Sequence, residues 1–437
     1  MGSVVTSIAA GTMALVLLLF VLALVHSPKN IGTVIAVSAG KLNSSYGNST
    51  YFEGNSMHQF FIGAKVGTFN LSLRGMVIVP PTFFKGSLYV TTSGPNPLTN
   101  NGKTYGQVYR INASSGMVVW NASFENQIMT QPIVAGNRAI VGIGNNDFYI
   151  NSTGAYIMGT VKNAVVALNI SNGNVDWIYN DSGEDMPTPA YSNGLVIFVD
   201  GSGRAIALNS STGKVEWIDY LSGYDSMSSP LLYNGNVYFG MLASPRVYSI
   251  SAINGRINWE DNFSYLGDIG GISDSSPILY NNSLITVYTK PIENGTMIMP
   301  VVISLNATNG YLQWATNESA GPIPNNIEAP PPSEYGGYIY SGNPESGNFF
   351  ILNSVNGSLY KTIRSGPVYG TAFLYDNKSF IPEYNGTILI LNRTFAESNY
   401  SSGNQMLFGS IPAKGGLILY GNGFLRSLSY NDIFNGQ

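Results

Sequence analysis

An all-β fold of repeated, four-stranded units closed into one array is predicted by three features of this 437-residue sequence. A Trp-terminated hairpin recurs along it, and a proline-led strand recurs in step. Both repeat at roughly 40 to 57 residues, an interval proper to stacked supersecondary units. Turn formers fill the gaps, with Gly at 50 positions.

The hairpin is clearest at Ala205–Trp217, AIALNSSTGKVEW. Apolar residues alternate to Leu208, polar turn formers fill Asn209 to Gly213, and alternation resumes at Val215 and Trp217. The string returns at 108–120, 165–177, 247–259 and 302–314, ending in Trp120, Trp177, Trp259 and Trp314. A worn copy ends in Tyr360, and Ile388–Arg393 keeps the first half alone. Gly116, Gly173, Gly213, Gly255 and Gly310 stand four residues before the aromatic, where a tight turn needs a positive φ.

Eight strand starts follow one pattern: a proline or its substitute enters an apolar strand, a turn such as Asn193-Gly194 or Asn234-Gly235 follows, and another strand leaves. They lie at Pro81, Pro132, Pro189, Pro230, Pro277, Pro330, Thr371 in place of proline, and Pro412. Each start plus its hairpin makes a four-stranded antiparallel blade, so an eight-bladed β-propeller is expected over 57–437. The last start lacks an outer strand. Met57–Leu71 can supply it, closing the ring and removing free sheet edges.

Ahead of the blades, Ile8–Val25 runs eighteen residues without a charge, about 27 Å as a helix, close to the thickness of a bilayer core. It reads as a retained transmembrane anchor over 1–28 rather than a cleaved signal, since no basic region precedes it. Residues 29–56, rich in Ser, Asn and Gly, read as a stalk.

Charged residues make up 10% of the chain, against about a quarter in ordinary soluble domains, and the net charge is −4. No basic patch with interleaved aromatics argues for nucleic acid. With no Cys, disulfides and thiolate metal sites are excluded. Nineteen Asn-x-Ser/Thr triplets occur. Five lie within the repeated turns, where Asn is an ordinary turn residue. Among the others, Asn43, Asn48, Asn70, Asn121, Asn151, Asn180, Asn262, Asn281, Asn294, Asn317, Asn377, Asn385 and Asn399 read instead as N-glycan acceptors. They place everything after the apolar helix outside the cell.

The ALNxxTGxxxW string resembles the pyrroloquinoline-quinone (PQQ)-like β-propeller repeat of quinoprotein alcohol dehydrogenases and of a non-enzymatic outer-membrane assembly lipoprotein. The resemblance covers about 57–437 and implies the propeller; function does not follow from it. Two departures stand out. Asn112, Asn169, Asn209, Asn306 and Asn353, with Ser251, replace the Asp usual after the ALx strand, which suits an acidic exterior and an archaeal acidophile. The adjacent Cys pair beside the quinone in the dehydrogenases is missing, and their calcium-binding set finds no matching motif here.

Chemistry is thinly signposted. His26 falls at the membrane edge and His58 near the closing strand, and both read as structural. The string Asp200–Ala205, DGSGRA, lacks the Lys-Ser/Thr ending and following helix of a phosphate loop and reads as a hairpin turn. Asp185, Asp225, Asp274 and Glu328 precede blade starts by two to five residues and could form an acidic arc at one channel mouth for a metal ion or a basic partner. The expected function is a membrane-anchored extracellular scaffold that binds other envelope proteins, without enzymatic activity or cofactor. An exported quinoprotein-like dehydrogenase using PQQ and calcium, or a pilin-like filament subunit carrying the propeller, are the alternatives.

Overall fold

The computed structural model describes residues 52–435, apart from 146, 152–153, 160–161, 243–244, 268–271, 273, 323–328, 393 and 404–405. The expected anchor, His26, Asn43 and Asn48 therefore lie outside the described residues, as does Glu328. Among the described residues, no helix is long and apolar enough to cross a membrane.

The chain forms antiparallel sheets of mostly four strands each, arranged as a β-propeller. One unit shows how sequence makes the blade. Its strands Ala190–Ser192, Leu195–Val199, Arg204–Asn209 and Val215–Tyr220 pair in chain order from inside to outside. Asn193 and Gly194 both take positive φ, 49° and 83°, as a two-residue turn matched to strand twist requires. Side chains alternate between the two faces. Ile206 and Leu208 pack toward the preceding unit with Ile140 and Val165, while Ala205 and Ala207 meet Val237 and Phe239 of the next. The core is thus a series of layers between neighbouring blades.

The Trp-terminated hairpins clamp these layers at the rim. Trp120, Trp177, Trp217 and Trp259 each donate their indole N–H to a carbonyl in the following unit, at Ile170, Ser210, Ala252 and Ala307, over 2.9–3.2 Å. Each indole also lies on the next turn glycine. A Cβ on Gly213, at φ 69°, would come within 2.7 Å of the Trp177 ring. Glycine is required there by conformation and by close approach together. Phe69 meets Gly116 in the same way, standing where a Trp would.

Both chain regions build the closing sheet, in a form richer than expected. Phe69–Met76 supplies the outer strand, antiparallel to Gly416–Ser429, and Ile62–Lys65 adds an inner strand parallel to Leu407–Lys414. Met76 also pairs with Ser93, merging this sheet with the first blade into eight strands.

Strand pairing corrects the register of two starts. Tyr375 pairs with Lys378 as Tyr233 pairs with Asn236, so Ala372, not Thr371, holds the proline place. Likewise Pro332, not Pro330, opens the strand Ser333–Tyr335.

Candidate functional site

The entry to each inner strand is extended, so its residues alternate in direction. Two places before the proline, hydroxyls turn back onto their own blade: Thr130 Oγ1 with the Gly142 amide and carbonyl, and Ser228 Oγ with the Gly240 amide, at 3.0–3.1 Å. The residues one and three places before the proline face the axis. Most of them, with neighbours such as Val79 and Gly370, line a small axial cavity of about 90 Å³.

At the inner level the units are stitched to one another. Thr188 Oγ1 accepts from the Gln131 amide at 2.9 Å, Ser229 Oγ from the Thr188 amide at 3.0 Å, and Ser276 Oγ from the Ser229 amide at 2.9 Å. Each hydroxyl is used as an acceptor by the preceding unit and keeps its own hydrogen to donate.

Residues 52–61, the last of the expected stalk and the first of the expected propeller, thread this axis. The Glu53 amide donates to Gln131 Oε1, the Leu279 amide to the Ser56 carbonyl, and the Glu334 amide to the Met57 carbonyl. Glu53 and His58 are 2% exposed. Thr371 Oγ1 donates to Glu53 Oε1 at 2.7 Å, and Glu53 Oε2 lies 3.4 Å from His58 Nδ1. That nitrogen donates to the Pro332 carbonyl at 2.9 Å. Burial pushes the Glu53 carboxyl up to about 8, with the Thr371 hydroxyl opposing, and pushes His58 down to about 4. The pair is therefore a neutral acid beside a neutral imidazole near neutral pH. His58 is structural, as read from sequence, but it stands beside the one carboxyl planted on the axis from outside the blades.

Of the acids read as an arc, Asp274 lines the cavity. Asp185 and Asp225 do not: both are buried among the blades, at 2% and 0% exposure. Asp225 Oδ1 accepts from the Ser228 amide, which bends the chain and spoils the simple alternation. Neither Asp185 oxygen accepts a hydrogen bond, and a Cβ on Gly142 would press against this residue. Burial drives Glu184, Asp185 and Asp225 well above the usual carboxylate range, with neighbouring carboxylates adding to it. No group of three or more His, Cys, Asp or Glu among the described residues is arranged to hold a metal ion.

DGSGRA forms the hairpin turn expected of it, but it also carries charge. Asp200 accepts from the Ser202 and Arg204 amides at 3.0 and 2.8 Å, and Arg204 pairs with both Asp200 and Asp181. Burial, then the Asp200 carboxylate, raise Asp181 to about 6 against the opposing Arg204. Of the described sequon asparagines outside the repeated turns, Asn70, Asn121, Asn180, Asn281, Asn294, Asn317, Asn377, Asn385 and Asn399 are exposed and Asn262 is half-buried; the Asn151 side chain is outside the described set.

The family model of the outer membrane protein assembly factor BamB matches residues 62–264. BamB from Moraxella catarrhalis superposes with a TM-score of 0.59 at 13% identity, over 84% of this chain and 100% of that one. The quinohemoprotein alcohol dehydrogenase from Comamonas testosteroni does so at 0.50 and 10%, over 87% and 80%. Two curated relatives are named tetrathionate hydrolase. That of Acidithiobacillus ferrooxidans is 31% identical over 61% of this chain, and that of Acidianus ambivalens 30% identical over 59%. The matched segments span 58% and 51% of those proteins, so this chain spans little more than half of their length.

These relatives overturn the expected non-enzymatic scaffold, because both carry the name of an enzyme. The expectation of no cofactor is corrected too, since propellers of this architecture include quinone-bearing dehydrogenases. PQQ is a tricarboxylate. The lining of the axial cavity offers it no Lys or Arg to pair with that charge, a poor complement. None of the five Trp lines the axial cavity. The chain is a β-propeller built on PQQ-like repeats.

Proposed function

We propose that this chain is a hydrolase of polythionate dianions, with tetrathionate as substrate and the axial cavity as the site. The observation that carries the reading is the pair of curated relatives of that name at about 30% identity. The cavity supports it chemically: hydroxyls with a hydrogen left to donate suit sulfonate oxygens, and the Glu53 carboxyl, held neutral by burial, does not repel a dianion.

The reaction is redox-neutral. Water oxygen bonds to a terminal sulfonate sulfur, and the adjoining S–S bond breaks with its electron pair on the departing sulfur. Sulfate and a disulfane monosulfonate result, with both water protons released overall, and the disulfane monosulfonate then sheds its terminal sulfur as elemental sulfur to leave thiosulfate. Asp274 takes the proton of the attacking water, and Glu53 gives its proton to the leaving sulfur. Purified protein incubated with tetrathionate should release thiosulfate and sulfate most rapidly at acidic pH. Folded protein that releases neither between pH 2 and 7 refutes the proposal.

A dehydrogenase reading has the shared architecture behind it, and a dye-linked alcohol assay after addition of PQQ and calcium separates the two. Two finer readings belong here as well. The eight-stranded sheet divides at the Met76–Ser93 pairing into two units, which gives eight blades in all. The exposed sequons support an exported, N-glycosylated surface tethered through Ile8–Val25, and intact-mass analysis of native protein tests for the glycans.

A further inference from the structure

Three methionines hold one place in three consecutive units. Met129, Met186 and Met227 stand three residues before Pro132, Pro189 and Pro230, and all three line the axial cavity beside Asp274. Met129 and Met227 are partly open to it, and Met186 is buried. Other units put Ile78, Ala329 and Tyr369 at this place, so the thioethers are confined to one arc.

Two residues further along the same strand entries, Thr188 and Ser229 line the cavity as well, as does Ser276 two residues after Asp274. Their oxygens are loaded by amides of the preceding units, which strengthens the O–H groups as donors. The wall of one cavity therefore offers two chemistries, soft, polarisable sulfur and hard hydrogen-bond donors. A dicarboxylate with a hydrocarbon middle would use the donors and gain nothing particular from sulfur over leucine. A ligand with divalent sulfur between anionic oxygens uses both.

We infer that the methionine arc is the specificity element of the cavity, seating the divalent-sulfur chain of a polythionate while the hydroxyl belt holds its sulfonate oxygens. The inference rests on the hydrolase reading above and adds to it the feature of the substrate that is selected.

The test is the double variant Met129→Leu/Met227→Leu, which keeps volume and apolarity and removes the thioethers. Swaps of this kind cost under about 1.5 kcal/mol in a core, and a urea unfolding curve verifies that the variant is folded. Tetrathionate turnover is measured alongside inhibition by dithionate, which has two sulfonates and no divalent sulfur. The KM for tetrathionate should rise about tenfold, with the loss in KM rather than kcat, while the dithionate inhibition constant moves by less than about twofold. A KM within about twofold of wild type overturns the arc, as does a parallel rise for both anions, which would mean general packing. If wild type itself produces no thiosulfate, the hydrolase reading falls and the arc with it.

Discussion

Raising the pH from about 4.5 to 8 is expected to weaken this fold, the reverse of ordinary acid denaturation. Burial pushes Glu53 and Glu318 from 4.5 to about 8, and Glu334 to about 7. A native carboxyl raised in this way keeps its proton where the unfolded chain has already released it. Its contribution is full below about 4.5 and is lost as pH rises toward the native value. His58 acts oppositely: burial lowers it from 6.5 to about 4, so stability is gained as pH rises between those values. Between about pH 5 and 6.5 these three carboxyl protons oppose one imidazole proton, and buried Glu184, Asp185 and Asp225, raised in the same direction, add to them, leaving a native excess of at least about two. At about 1.4 kcal/mol per proton per pH unit the slope is about 3 kcal/mol per unit or steeper, large against the 5–15 kcal/mol that hold a domain together. The assay is the urea midpoint from pH 3.5 to 8 at constant m-value. The midpoint should fall steadily above pH 5, and Glu53→Gln should flatten the fall by one proton, about 1.4 kcal/mol per unit. A midpoint that climbs from pH 5 to 7, or a variant with the wild-type slope, refutes the reasoning.

Glu53→Gln should also lower kcat for tetrathionate by about 10²–10⁴-fold while leaving the protein folded, read as thiosulfate release at pH 4. Ser229→Ala removes the acceptor for the Thr188 amide and should cost about 1–3 kcal/mol in urea unfolding, together with a raised KM. Gly213→Ala forces a Cβ into the Trp177 ring at a positive φ and should destabilise by about 2–4 kcal/mol. Arg204→Met strands Asp181 and Asp200, at a cost of about 3–5 kcal/mol at pH 8. That cost should shrink below pH 6, where Asp181 takes up a proton.

The blade architecture was legible because each unit repeats the same local demands. Asn193-Gly194 needs two positive φ values, the Trp needs a flat neighbour, and Leu208 and Ala207 need opposite faces. The closing sheet was half legible: the missing outer strand was foreseen, but Phe69 in the Trp place and the parallel Ile62–Lys65 strand obey no repeat. The site was nearly invisible. Its donors are Thr and Ser at ordinary turn positions, and their direction depends on parity before the proline, which turns Asp185 away from the axis, while the Ser228 amide bond to Asp225 breaks the alternation there. Residues 52–58 contain no strand, and Glu53 and His58 sit at positive φ, so their composition suggests a stalk. Only the assembled ring gives them walls. The regular spacing of Met129, Met186 and Met227 before proline was the one available signal.

The low surface charge and the buried acids have a common physical consequence. In a chain with 10% charged residues, several carboxyls are spent inside, at Glu53, Glu184, Asp185, Asp225 and Glu318, where no water stabilises the ionised form. In neutral surroundings that arrangement stores electrostatic cost; in acid those sites carry no charge and cost little. The same protonation that stabilises the blades discharges the axis that an anionic substrate must enter. Stability and substrate access are thus coupled to one set of protons. Both should decline over one pH window, and Glu53→Gln should shift stability and dithionate binding together toward neutral pH. A variant that shifts one and not the other separates the axis from the fold.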